Sequence, residues 1–249
     1  MEDSISIEKS KARVKDGISS PITYYYNAAL SLDGVIQYIN VFQCLNDKFS
    51  GRILQPQFFV VAEETNRIYT LNKKLIEEAI KEARRKPDYM FCVQLSVKWF
   101  SDIEHENEIN TLLACAPKNI ILAINTESLT KEFDVKDKLN KIINDYGLKL
   151  LLDNPEEEKL SVLFDYKIDY LRLDGRYYED KSSIKSAYLR IYADYARAQQ
   201  IKVIMNHVSN EEELRFFKIA GLNFMEGKAI SPTKTKVAAI TAPYELEEH

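Results

Sequence analysis

The sequence predicts an α/β fold in which parallel strands alternate with helices, and the number of units fits one closed (β/α)8 barrel. Short apolar runs recur along the chain, separated by amphipathic stretches with helical spacing. The chain has 249 residues, and a barrel of this type takes about 250. A doubly wound open sheet would show the same alternation, but no GxGxxG motif follows the first strand, so dinucleotide binding has no support.

The first two apolar runs differ from the later ones. Residues 22–32 and 35–45 carry polar breaks and flank the turn dipeptide Asp33-Gly34, so they predict an antiparallel hairpin near the N-terminus. The later runs are short and nearly continuous, which is typical of parallel strands buried on both faces. The predicted parallel strands are 89–95, 120–124, 148–152, 170–173, 203–205 and 223–225.

Helices are predicted at residues 71–85, 135–146, 183–198 and 209–220, where apolar side chains recur on one helical face. Gly147 directly follows the second of these segments and Gly221 the fourth, which favours helix ends there. Ser209 to Glu212 has the pattern of a capping box. The core face expected for the third helix consists of Ile184, Ala187, Tyr188, Ile191, Tyr192 and Tyr195.

Composition narrows the class of protein. The formal net charge of -4 argues against a nucleic-acid binder, which needs clustered positive charge. Cys44, Cys92 and Cys115 are widely spaced and form no CxxC pair, so neither a zinc site nor a redox dithiol is indicated. We expect Cys92 to be a small core residue and the protein to be cytoplasmic.

The organisation predicted is one domain at residues 21–240, with a flexible lead at 1–20 and a tail at 241–249. No window approaches the roughly 18 consecutive apolar residues of a membrane span. The polar N-terminus has no apolar signal-peptide region, so we expect no membrane contact.

Several segments, taken in order, resemble one family. Residues 55–68 (QPQFFVVAEETNRI) are similar to "SPxEFIPxAEETGLI", residues 91–96 (FCVQLS) to "xxVNLS", and residues 170–174 (YLRLD) to "xLKID". Residues 122–127 (LAINTE), 145–153 (DYGLKLLLD) and 220–232 (AGLNFMEGKAISP) fit further motifs of that family. These patterns resemble the EAL domain of cyclic-di-GMP phosphodiesterases. The resemblance implies a (β/α)8 barrel whose strand ends hold two divalent metal ions that activate water.

The resemblance also implies that the metal site has been lost. Asn40 stands where the family has the signature glutamate, Ala123 and Asn206 replace two further glutamates, and Cys44 replaces an arginine that contacts nucleotide phosphate. Neutral side chains do not offset the desolvation of a cation. The expected vestigial pocket, with no catalytic residue, metal or cofactor, is completed by Gln94, Asp153, Asn154, Arg172, Asp174 and Glu226.

Three functions follow from this reading. The leading hypothesis is an inactive regulator acting through protein–protein contacts, because the chain resembles stand-alone inactive family members that bind the flagellar master transcription activator. The alternatives are a non-catalytic cyclic-di-GMP receptor, and a residual metal-dependent phosphodiesterase using Asp153, Asp174 and Glu226. Cys44 and the glutamates at 156–158, in place of a glycine-rich loop, argue against cyclic-di-GMP binding. His207, at a predicted strand end, is either a base or metal ligand or an ordinary pocket histidine.

Overall fold

Nine strands form the central sheet of the computed structural model, which describes residues 21–47, 51–129, 135–155, 165–175 and 183–240. The predicted lead, tail and glutamates 156–158 lie outside the described residues. The strands are β1 (Ile22–Ser31), β2 (Ile36–Asp47), β3 (Gly51–Leu54), β4 (Phe91–Gln94), β5 (Ile120–Asn125), β6 (Lys149–Asp153), β7 (Tyr170–Leu173), β8 (Lys202–Met205) and β9 (Phe224–Met225).

Eight of these strands close into a barrel. The order is β1-β9-β8-β7-β6-β5-β4-β2, and pairing of β1 with β2 completes the circle, while β3 adds to the outer side of β2. All neighbours from β2 through β4 to β9 are parallel, whereas β1 runs antiparallel to both β2 and β9. The predicted (β/α)8 barrel with an antiparallel strand near the N-terminus is confirmed.

Helices connect the parallel strands and pack against the outside of the barrel. Those of the described residues are α1 (Gln55–Glu64), α2 (Ile68–Arg85), α3 (Val97–Phe100), α4 (Glu106–Ala114), α5 (Lys136–Tyr146), α6 (Ser183–Gln199) and α7 (Glu211–Ile219).

The helix ends have local causes. Gly147 adopts a φ of 68° after α5, a left-handed conformation that glycine takes without steric cost. The Asn210 side chain accepts the Glu213 backbone N–H at 2.9 Å and caps α7. Among the described residues, no helix is long and apolar enough to cross a membrane.

The buried face of α6 differs from the predicted one. Leu189, Tyr192 and Ala196 are buried, whereas Ala187 is exposed and Ile191 is 49% exposed. Apolar residues surround this helix on several sides, so spacing alone does not select the face that meets the sheet. The face that packs against β8 consists of Leu189, Tyr192 and Ala196, which recur at spacings of three and four residues. Strand β3 and helices α1, α3 and α4 are not among the predicted segments either.

Candidate functional site

Polar side chains line the interior of the barrel at the carboxyl ends of its strands. The layer below them is apolar and contains Cys92, Ile121, Ala123, Leu151 and Ile204, all buried. Because side chains alternate along a strand, the next inward position on each strand lies one layer higher, where chemistry is placed in barrels of this kind. These higher positions include Asn40, Gln94, Asp153, Arg172, Asn206 and Glu226.

Arg172 is the centre of this layer. Its Nε and one terminal nitrogen donate to the two carboxylate oxygens of Asp153 at 2.7 and 2.8 Å. The other terminal nitrogen donates to Glu226 Oε1 at 3.2 Å. The Arg172 side chain is only 7% exposed, against 13% for Asp153 and 3% for Glu226. One buried guanidinium therefore holds two carboxylates, one from the neighbouring strand β6 and one from the residue that follows β9.

Glu226 receives further donors on its second oxygen. Tyr38 donates its hydroxyl to Oε2 at 3.0 Å, and Asn40 donates its amide to the same atom at 2.8 Å. Gln94 donates to Asp153 Oδ2 at 3.3 Å. A single guanidinium leaves one excess negative charge among the three ionic groups, and these neutral donors stabilise that charge without adding a cation.

The cluster changes the ionisation of its members. Desolvation lowers the pKa of Arg172, but the charges of Asp153 and Glu226 outweigh it and raise the pKa well above the ordinary value. Burial and the Glu226 charge raise the pKa of Tyr38 well above its usual range. Arg172 therefore stays charged and Tyr38 stays a neutral donor over the whole physiological range.

A cavity of about 420 Å³ opens above the cluster. Its lining includes five of the ten residues that the sequence analysis assigned to the expected vestigial pocket, namely Asn40, Gln94, Arg172, Asn206 and Glu226. Lining residues that sequence reasoning missed are Asn27, Phe42, Gln55, Lys228 and Thr233, besides Tyr38 beneath them. Tyr38 was detectable, since it lies two residues before Asn40 on one strand and so shares its face.

Five of the ten predicted pocket residues do not line the cavity, and two of these five, Cys44 and Ala123, are fully buried. Cys44 is fully buried on β2, paired with Leu54 of β3, and does not line the cavity. The added strand β3 covers this part of β2, which explains the burial. Ala123 is fully buried in the apolar layer below Arg172, and its methyl group offers no ligand atom.

Asn154 and Asp174 flank the ion cluster. Asn154 has a φ of 54°, and its backbone N–H donates to the Arg172 carbonyl at 2.8 Å. Asp174 Oδ1 lies 3.7 Å from His207 Nδ1. Hydrogen bonding to Asp174 raises the pKa of His207, although partial burial opposes it. Asp153 and Asp174 thus pair with different side chains, Arg172 and His207.

The sequence model of the EAL domain matches residues 18–233. The chain belongs to the EAL domain family. Solved EAL structures share its fold. The EAL enzyme Bd1971, with cAMP and cyclic-di-GMP bound, is 16% identical with a TM-score of 0.76, covering 92% of this chain and 66% of that one. The chain therefore spans about two thirds of the length of Bd1971.

Two further EAL structures cover nearly all of both chains. An EAL domain protein from Listeria monocytogenes is 14% identical with a TM-score of 0.76, covering 92% of this chain and 95% of that one. The FimX EAL domain from Pseudomonas aeruginosa, bound to cyclic-di-GMP, is 15% identical with a TM-score of 0.75, covering 92% and 97%. At these identities the likeness establishes the fold. A comparison with curated protein sequences found no significant match.

The side chains present do not fit the pair of divalent cations that the family implies. Arg172 already donates to Asp153 and Glu226 at hydrogen-bond distance, so its positive charge occupies the position where a cation between these two carboxylates would have to bind. Asn40 and Asn206 supply neutral oxygens, and hard divalent cations prefer several carboxylates. Among the described residues, no group of three or more His, Cys, Asp or Glu side chains is arranged to hold a metal ion.

Proposed function

We propose that this EAL domain is a catalytically inactive regulatory protein that acts by binding another protein. The contacts of Arg172 with Asp153 and Glu226 carry the proposal. Phosphodiester hydrolysis on this fold needs metal-bound water, and a guanidinium neither binds nor deprotonates water in that way. The third hypothesis, a residual phosphodiesterase using Asp153, Asp174 and Glu226, is therefore weakened, since two of these carboxylates already pair with Arg172.

We further propose that the partner is a transcription regulator of motility or biofilm genes, such as the flagellar master activator. This proposal rests on the resemblance to inactive EAL proteins with that role. The barrel supplies a rigid scaffold, so a partner can bind with little reorganisation of this chain.

A second candidate function is a non-catalytic receptor for cyclic-di-GMP. The cavity of about 420 Å³ favours it, because ligand sites commonly enclose about 300–1,000 Å³. Lys228 and His207 at the cavity can contact phosphate. Cys44 argues against it, since the arginine expected there contacts nucleotide phosphate in the family, and Cys44 does not reach the cavity.

The decisive measurement is hydrolysis of cyclic-di-GMP by the purified protein with Mg²⁺ and with Mn²⁺, followed by chromatography of the products. We expect no turnover above the buffer blank. A matched variant, Asp153→Ala, controls for contaminating enzymes. Turnover that depends on Mn²⁺ and disappears in Asp153→Ala would refute the proposed inactivity.

Isothermal titration with cyclic-di-GMP separates the two binding functions. The regulatory proposal predicts no heat of binding with or without Mg²⁺. Micromolar binding would favour the receptor. For the named partner class, we expect the protein to co-purify with a flagellar activator. We also expect the activator to lose its DNA binding in a gel-shift assay when this protein is added. Unchanged DNA binding of the activator at a saturating concentration of this protein would contradict the proposal.

A further inference from the structure

Three exposed cations belong to the lining of the cavity or to segments of the chain next to it. Lys228 lines the cavity directly. Lys234 follows the lining residue Thr233, and its backbone pairs with Tyr26 at 2.8 Å in both directions. The Arg52 guanidinium lies 5.5 Å from the centre of the Tyr25 ring. We name Arg52, Lys228 and Lys234 the basic rim.

The basic rim carries no internal counter-charge from the described residues. None of its three side chains forms a salt bridge there, whereas lysines elsewhere do, such as Lys136 with Asp165 at 2.7 Å. The chain as a whole has a net charge of -4, so the rim is a local positive feature on an acidic protein. Such a patch attracts acidic groups and raises their rate of association.

Apolar surface is also part of the cavity lining. Phe42 and Leu54 both line the cavity, and Leu54 is 49% exposed. The Phe42 ring stacks on Tyr25 with a centroid distance of 6.1 Å, which connects the apolar surface to Arg52. An apolar anchor in a pocket, surrounded by charged contacts, is the usual arrangement at a protein-binding surface.

We propose that the cavity mouth binds an acidic polypeptide segment, which inserts one apolar side chain beside Phe42 and Leu54 and places carboxylates on the basic rim. The inference rests on the proposed regulatory function and names its docking site and partner chemistry. A polypeptide fits better than a nucleic acid, because three cations on an acidic protein release few counterions from a phosphate backbone. The apolar surface beside Phe42 and Leu54 also suits an aliphatic or aromatic side chain of a polypeptide.

The probe is a fluorescein-labelled peptide, Glu-Glu-Phe-Glu-Glu, whose binding is followed by fluorescence polarisation at low salt. We expect saturable binding that weakens about tenfold when NaCl rises from about 50 to 300 mM, because the contacts are exposed and screened. A peptide with alanine for phenylalanine should bind more weakly, and one with lysine for glutamate should not bind. Tighter binding of a single-stranded DNA 12-mer than of the acidic peptide would overturn the choice of partner.

Charge reversal locates the site. The double variant Lys228→Glu, Lys234→Glu should lower the affinity for the peptide about tenfold. The separate variant Leu54→Ser should reduce the difference in affinity between the phenylalanine peptide and the alanine peptide. The matched control is Lys118→Glu, which reverses an exposed lysine just before β5, at the opposite end of the barrel. Thermal unfolding confirms that each variant is folded.

The outcomes separate the two proposals. No peptide binding, or an equal loss in Lys118→Glu, would overturn the docking site and leave the hydrolysis result untouched. Hydrolysis of cyclic-di-GMP would overturn the proposed function even if the peptide bound. Binding lost only in the rim variants, with no hydrolysis, supports both.

Discussion

The two ends of the barrel interior both carry charged side chains, but they stabilise the charges in different ways. At the carboxyl ends of the strands, Arg172 is nearly inaccessible and pairs with Asp153 and Glu226. At the amino ends, Lys149 and Lys202 each place Nζ 5.9 Å from the Tyr170 ring, and Lys149 is 40% exposed. The first end pairs its charges with one another in the interior. The second keeps its lysines near water, where they have aromatic contacts and one long ion pair, Lys149 with Asp169 at 4.0 Å.

At the carboxyl end of the barrel, each buried charge depends on its neighbours for stabilisation, whereas at the amino end water stabilises the lysines. Removing one member of a buried ion cluster leaves an uncompensated charge, which is costly, whereas a half-exposed lysine can rehydrate when its neighbour changes. We therefore expect substitutions at the carboxyl end to affect stability far more than equivalent substitutions at the amino end.

Arg172→Met should have the largest effect. It leaves Asp153 and Glu226 buried without a cation and should lower the free energy of unfolding by about 3–5 kcal/mol. Arg172→Lys keeps the charge but loses the two-pronged contact with Asp153, so it should lose less. Urea denaturation measures both. Equal stability of Arg172→Met and the parent would show that the cluster is not a strong constraint.

Tyr38→Phe should have an intermediate effect. It removes one of the two neutral donors to Glu226 Oε2, and a hydrogen bond to a charged group contributes about 1.5–3 kcal/mol. Tyr24→Phe is the matched control, since the Tyr24 hydroxyl donates to the uncharged Lys74 carbonyl at 3.2 Å in an exposed hydrogen bond. Urea denaturation should show a clearly smaller loss for Tyr24→Phe. A larger loss in the control would contradict the assignment.

Lys149→Met should have the smallest effect on stability and should instead change the titration of Lys202. Burial, with the nearby Lys149 charge as the second cause, lowers the pKa of Lys202 from 10.5. Lys202 therefore binds its proton more weakly in the folded state than in the unfolded state. As a result, the free energy of unfolding rises with pH over a range just below pH 10.5. Removing the Lys149 charge should raise the pKa of Lys202 while burial still holds it below the usual value. Lysine-selective carbon-13 NMR measures this pKa, and an unchanged value in Lys149→Met would show that the two amines do not interact.

Much of the fold was predictable because it follows from local patterns. Short continuous apolar runs between amphipathic helices allow few arrangements other than a parallel sheet with helical crossovers. The Asp33-Gly34 hairpin and the end of α5 at Gly147 were also predictable, since each needs a particular backbone conformation. The exposed face of α6 was not, because Ile191 and Leu189 are equally apolar and only contact with the sheet distinguishes them.

The candidate site was predicted in its positions more than in its contacts. Motif order identified Asn40, Gln94, Asp153, Arg172 and Glu226 as one group, and the barrel brings them together. Cys44 was expected with them, but β3, which has a weak strand signal, buries it away from the cavity. Tyr38 was overlooked, although its position two residues before Asn40 places both side chains on the same face of β2.

The sequence by itself determined that strands and helices alternate, and that neutral side chains stand at several strand ends where the family has carboxylates. Only the tertiary structure decided what the remaining charges do. Asp153 lies on β6, Arg172 on β7, and Glu226 directly follows β9, so their pairing exists only after the barrel closes. Closure removes these groups from water, and in that environment each buried charge must find an opposite charge or a hydrogen-bond donor.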